Sequence, residues 1–240
     1  MPTVRPETYQ TANPPNAIPR PSTAVSGDLL LAFVAYEYPE FDAALTGGTP
    51  EWVPLASKST VSPTADGVLT SGFWWKPAGT TADTGWRLDF DSGPTFMVMT
   101  IIAVTGTLLE APPYTVSADQ GGTGSPITTV TSPAGPSPNA EDLELRWVAG
   151  DNYLTEATRA WSSPAGTSEI ADLDAGYLTG QLTAETLTGP STSERTHTIT
   201  GGGVYSAHGF TLRIPGLAPP AATAPVVLTP TAAAHRATSW

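Results

Sequence analysis

The 240-residue chain carries 22 acidic against 10 basic side chains, a formal net charge of −12, which removes the electrostatic attraction that drives binding to phosphate backbones. It has no cysteine, so disulfides and thiolate metal sites are excluded, and its 23 Gly and 25 Pro interrupt any long helical pattern. What remains is an all-β chain of short strands, and the length suits one large sandwich.

Residues 1–26 hold Pro2, Pro6, Pro14, Pro15, Pro19 and Pro21 and predict an extended arm lying on the domain, without ladder hydrogen bonds. The opening "MPTVRPETYQ" lacks a basic stretch followed by an apolar core, and no run approaches the roughly 18 apolar residues of a membrane span. Neither a signal peptide nor membrane insertion is expected.

From residue 27 to 217, apolar segments of strand length recur between turn signals such as "TGGTP", "PTADG" and "TGGG". The first half, 27–117, supplies "DLLLAFVAY", "WVPLAS", "LTSGFWWKP", "WRLDF" and "FMVMTIIAVTG". The second, 126–217, supplies "DLELRWVAG", "WSSPAGTSEI", "YLTGQLTAET", "RTHTIT" and "HGFTLRIPG". Landmarks repeat between them: Asp28 with Asp142, Trp52 with Trp161, Leu69 with Leu178 and Gly106 with Gly216. The expected fold is therefore a jelly-roll-like β-sandwich of about ten strands in two similar five-strand halves. The glycine-rich "ADQGGTGSP" lacks the Lys of a phosphate loop and reads as the link between halves.

Side chains alternate faces along a strand, so "DLELRWVAG" reads as covered on one face only. By contrast "LLLAFVAY" and "MVMTIIAV" are apolar on both faces and require an outer cover. Two covers are open: the chain's own Pro-rich arm, or a neighbouring subunit in a homo-oligomer. In the second case Leu30 and Ile102 are the partner-facing candidates. In "FWWK", Trp74 and Trp75 must face opposite ways, which makes Trp74 a further contact candidate.

Little in the sequence carries chemistry. His197, His208 and His235 show no metal-binding spacing, and His208 shares strand phase with Phe210, Leu212 and Ile214, as an inward or edge histidine would. No GxSxG elbow occurs. Asp89 and Asp91 lie on one side of a strand, a pattern open to a glycosidase pair, a calcium site or solvated acids, the last being the commonest. No catalytic residue, metal or cofactor is assigned. The tryptophans could stack on a sugar, or fill the core.

The order "PTVR", "RP" five residues before "GDLLLA", "WWKPAGTTADTG" and "AVTGTL" resembles the β-sandwich modules of minor tail proteins from bacteriophages that infect actinobacteria. The resemblance covers roughly residues 1–217 and implies a virion structural or adhesion role without catalysis. It implies assembly in the host cytoplasm, other virion subunits as partners and no nucleic-acid ligand. A capsid decoration protein and a glycan-binding module, with a host cell-surface glycan as partner, are the alternatives. The segment 218–240, rich in Pro and Ala, is expected to be extended and to dock on a neighbouring virion subunit through Val226, Val227, Leu228 and Trp240.

Overall fold

The computed structural model describes residues 1–217 except 7–8, 13–17, 38–42, 62–67, 81, 91–95, 121–124, 137–141, 153, 155 and 190–192. Among the described residues there is no helix. The strands are β1 (Thr3–Val4), β2 (Tyr9–Ala12), β3 (Leu29–Glu37), β4 (Ala44–Thr46), β5 (Val53–Val61), β6 (Val68–Pro77), β7 (Arg87–Asp89), β8 (Met97–Thr105), β9 (Tyr114–Gln120), β10 (Thr129–Ser132), β11 (Leu143–Asp151), β12 (Ala160–Ser162), β13 (Ser168–Asp174), β14 (Leu178–Thr186), β15 (Arg195–Thr200) and β16 (Ser206–Ile214).

Two large antiparallel sheets face each other. One runs β1-β8-β3-β6-β5, with β2 also on β8; the other runs β13-β14-β11-β16-β9. Their facing sides bury Leu29, Leu31, Phe33 and Ala35 against Leu143, Leu145, Trp147 and Ala149 in one core, the seam between the halves. Gly180 lets this seam close, because a Cβ there would fall 2.6 Å from the Trp147 ring.

The register shows that the halves are equivalent. Leu29 pairs with Pro77 and Val104 on its two sides, as Leu143 pairs with Thr186 and Ile214. The edge strands carry the same bulge: the register shifts by one residue at Leu55, between Pro54 and Ala56, and at Ile170, between Glu169 and Ala171. Asp28 and Asp142 close equivalent strand starts, and each is ion-paired, to Arg5 at 2.9 Å and to Arg213 at 2.7 Å.

Each half also has its own outer layer. In the second half it is the sheet β10-β15-β12; in the first it is β4-β7, with Ile18 bridged to Trp86 where Val130 pairs with His197. Each half is thus a jelly-roll-like sandwich in which the chain crosses between a large sheet and a small one, except at β5–β6 and β13–β14, which are consecutive strands of a large sheet. The sandwich expected from sequence is present, and it is built as two jelly rolls packed back to back. The layers run outer, large, large, outer.

Four expectations are corrected by this arrangement. Residues 1–26 do enter the ladder, as β1 and β2 on β8, because Pro2 and Pro6 stand outside the paired stretches. The halves part between β8 and β9 and not at "ADQGGTGSP", since β9 pairs with β16. Trp52 and Trp161 are not equivalent: Trp52 precedes β5 in a large sheet, whereas Trp161 lies on β12 in an outer layer, where its counterpart is Leu45. Finally, β11 is buried on both faces, Glu144 and Arg146 included.

Candidate functional site

The outer face of β3 and β6 presents Leu30, Ala32, Val34, Tyr36 and Trp74, and the chain covers it with Ile18, Ala24, Leu45, Trp52 and Trp86. Leu30 and Trp74 are 0% and 2% exposed, and Ile102, on the opposite phase, is 0% exposed within the seam core. None of the three is open to a partner in this structure. In this structure the chain's own layer covers these strands, and among the described residues the Pro-rich arm supplies Ile18 and Ala24 to it. The loops around β4 and β7 supply the rest.

That layer is pinned by a buried cation. Lys76 Nζ donates to Asp83 Oδ1 at 2.8 Å and stands 5.2 and 5.1 Å from the ring centroids of Trp52 and Trp86. Those two indoles meet edge to face at 5.2 Å. Asp83 also accepts from Trp86 Nε1 at 3.1 Å and from the Thr49 and Gly79 amides at 3.0 and 3.2 Å. Burial lowers the Lys76 pKa against the opposing pull of Asp83. Burial raises that of Asp83, but the bonds from Lys76 and Trp86 outweigh it, so the carboxyl titrates below its usual range. A desolvated cation over two indoles is worth about 2 kcal/mol or more. Gly48 makes room, since a Cβ there would lie 1.9 Å from Asp83 Oδ1.

Beside this cluster opens a cleft of about 450 Å³, floored by Leu45, Trp52, Pro54 and Trp74 with Thr46 and Glu51 among its lining residues. The chemistry is an apolar lining, mostly buried, with the exposed Glu51 carboxylate and Pro54 at its surface. Glu51 carries no signal in the sequence, being a lone acid between Pro50 and Trp52. Lys76 carries a faint one, since it shares strand phase with Trp74 directly after the apolar "FWW".

The second half fills the same outer layer in part with an apolar cluster of Val130, Val148, Trp161, Ile199, Val204 and Ala207, and in part with polar groups. Arg146 donates to Glu144 on the same strand face, to Ser132 Oγ at 3.1 Å, and to the Pro133 and Ser193 carbonyls at 3.0 and 3.1 Å. His197 is held by Gln181 Oε1 at 2.8 Å and Ser132 Oγ at 3.2 Å. Burial, then the Arg146 charge, pushes its pKa down to about 3.

His208 is the inward histidine its strand phase suggests. It lies fully buried with Nδ1 on Ser71 Oγ and Nε2 on Thr60 Oγ1, each at 2.8 Å. Its pKa also falls to about 3, through burial and then Lys58. Although Ser71 and His208 resemble a nucleophile and base, both are sealed from solvent and no substrate can reach them here. Asp89 is exposed and accepts from Thr46 Oγ1 at 2.7 Å, with Arg87 at 3.7 Å. Asp91, His235, Val226, Val227, Leu228 and Trp240 lie outside the described residues.

Among the described residues no group of three or more His, Cys, Asp or Glu could hold a metal ion, and no helix is long and apolar enough to cross a membrane. Comparison with protein-family models, with curated proteins and with solved structures finds no match.

Proposed function

We propose that the chain is a bacteriophage virion structural protein, a minor tail or tail-tip module that serves assembly or host adhesion. The segments "GDLLLA" and "WWKPAGTTADTG" support this through their resemblance to such modules. One structural observation carries the non-catalytic part of the reading. Lys76, Asp83, Glu144, Arg146, His197 and His208, among the described residues with the chemistry to act on a substrate, are buried and spent on tying layers together. That is how a scaffold uses such groups. Val226, Val227, Leu228 and Trp240 would then contact a neighbouring virion subunit, so deleting residues 218–240 should leave the melting temperature nearly unchanged while blocking incorporation into particles.

Negative-stain imaging of virions labelled with an antibody to this chain tests the assignment. Label on the tail supports it, label on the head points to a capsid decoration protein, and unlabelled particles overturn both. A second reading, a glycan-binding module, is favoured by the cleft beside Trp52 and Glu51. A glycan array probed with wild type and with Glu51→Gln tests it; binding that the substitution leaves unchanged would remove the cleft from consideration.

A further inference from the structure

Glu37 and Asp151 end the equivalent central strands β3 and β11 on the phase that faces the seam. The duplicated fold therefore brings two carboxylates together at one end of the interface between the jelly rolls. Asp151 is 0% exposed, and neither of its carboxylate oxygens has a hydrogen-bond partner. Ser206, directly opposite Asp151 on β16, is likewise buried with an unpartnered hydroxyl. The end is closed by the Phe96 and Tyr177 rings, with centroids 4.8 Å apart. Their backbone carbonyls accept from the amides of Glu37 at 3.3 Å and Asn152 at 2.8 Å.

A buried carboxylate that accepts no hydrogen bond is costly as an anion, and a second carboxylate nearby adds repulsion. The acid form removes both costs and supplies a hydroxyl that can donate to Glu37 or Ser206. We propose that the Glu37–Asp151 pair is a proton-operated latch: with a proton on Asp151 the two jelly rolls close over this end of the seam, and its loss loosens the Phe96–Tyr177 closure. Among the described residues, the charged and titratable groups around the pair are Arg159 and Glu156 after β11, Asp174 on β13, Tyr177 before β14, Tyr205 before β16 and His208 on it. Arg159 acts against the latch by favouring the anion, yet its guanidinium donates to the Ala157 and Gly176 carbonyls and not to Asp151. His208 is neutral at this pH and engaged with Ser71 and Thr60. In agreement with the geometry, burial and then the charge of Glu37 raise the Asp151 pKa to about 7.

The sign of the pH dependence follows from that rise. A carboxyl raised in the closed state favours closure most below its free value, and the advantage is lost as pH climbs toward 7, after which it is constant. The test is native-state hydrogen exchange of the full chain between pH 5 and 8, corrected for intrinsic rates, on wild type, Asp151→Asn and Glu37→Gln, with and without calcium. In wild type the protection of the Glu37 and Asn152 amides should fall by up to roughly tenfold per pH unit and level off near 7. Asp151→Asn should abolish the pH dependence, and Glu37→Gln should end it at lower pH. Should a variant fail to fold, carboxyl NMR of the wild type decides: an Asp151 resonance titrating near 7 supports the latch, and one titrating below 5 overturns it. The same decline in Asp151→Asn would also overturn it. So would a rise in protection with calcium that Asp151→Asn removes, which would make the pair a cation site.

Discussion

The outer layers of the two jelly rolls solve one problem with opposite chemistry. By register Leu30 corresponds to Glu144 and Ala32 to Arg146, and all four side chains are buried. The first half closes this face with aliphatic and indole groups around one buried lysine, whereas the second adds to an apolar patch of Val130, Val148, Trp161, Ile199 and Val204 an ion pair, hydroxyls and a histidine. The backbone frame thus fixes that the face is covered, and the side chains fix how sensitive the cover is to charge. A buried ion pair gives little net stability over an apolar pair, but each partner depends strongly on the other.

The most damaging test exchanges the two chemistries. Leu30→Glu places a second carboxylate opposite Lys76, whose charge Asp83 already takes up, so one buried negative charge is left uncompensated; it should cost about 4 kcal/mol, measured as a loss of the urea midpoint or as failure to fold. Glu144→Leu strands Arg146 and should cost about 3–5 kcal/mol. The double replacement Glu144→Leu with Arg146→Met should recover most of that loss, because it restores the apolar solution of the first half. Additive losses from the two substitutions would contradict the pairing.

Acid should separate the layers next. His197 and His208 are held neutral with pKa values of about 3, below the value near 6.5 of an unfolded chain. Their stabilisation is complete above about pH 6.5 and is lost as pH falls toward 3, at about 1.4 kcal/mol per pH unit for each histidine. Trp86 stands where the second half has His197, so the first layer has no such term at that position. His197→Gln should lower the slope of stability against pH by about 1.4 kcal/mol per pH unit relative to wild type, read from urea melts between pH 4 and 6, a difference in which the opposite slope from Asp151 cancels. An unchanged slope would show that His197 is not buried neutral. The smallest effect should come from Thr60→Val, which removes one hydrogen bond to His208 across the seam and should cost about 1 kcal/mol.

The long strands were legible because each is a run of apolar or alternating residues bounded by Gly, Pro or Asp, and the repeat of Leu69 with Leu178 and Gly106 with Gly216 coincides with the paired register. The outer layers were not. Strands β4, β7 and β12 span three residues each, too few to show a period, so the jelly roll within each half left no pattern. Trp161 looked like the partner of Trp52 because tryptophan is conspicuous, yet its layer is set by pairing with β15. Glu144 and Arg146 were read as facing water, since alternation cannot distinguish a solvated charge from one neutralised two residues away on the same buried face. The candidate site suffered similarly. Trp74 does point away from the seam, as adjacency to Trp75 requires, but into a second core that only the folded loops create.

The claim that the chain itself covers both outer faces can be tested with one thiol, because the chain has no cysteine of its own. Ala32→Cys places it on the outer face of β3, at a position that is fully buried, and Ala44→Cys on the exposed rim of β4 serves as reference. Under native conditions in dilute solution, Ala32→Cys should react with a small thiol reagent no faster than the protein opens, while Ala44→Cys reacts at once. If Ala32→Cys reacts as fast as Ala44→Cys in a protein whose circular dichroism is unchanged, the face is open in the monomer and the cover belongs to another subunit.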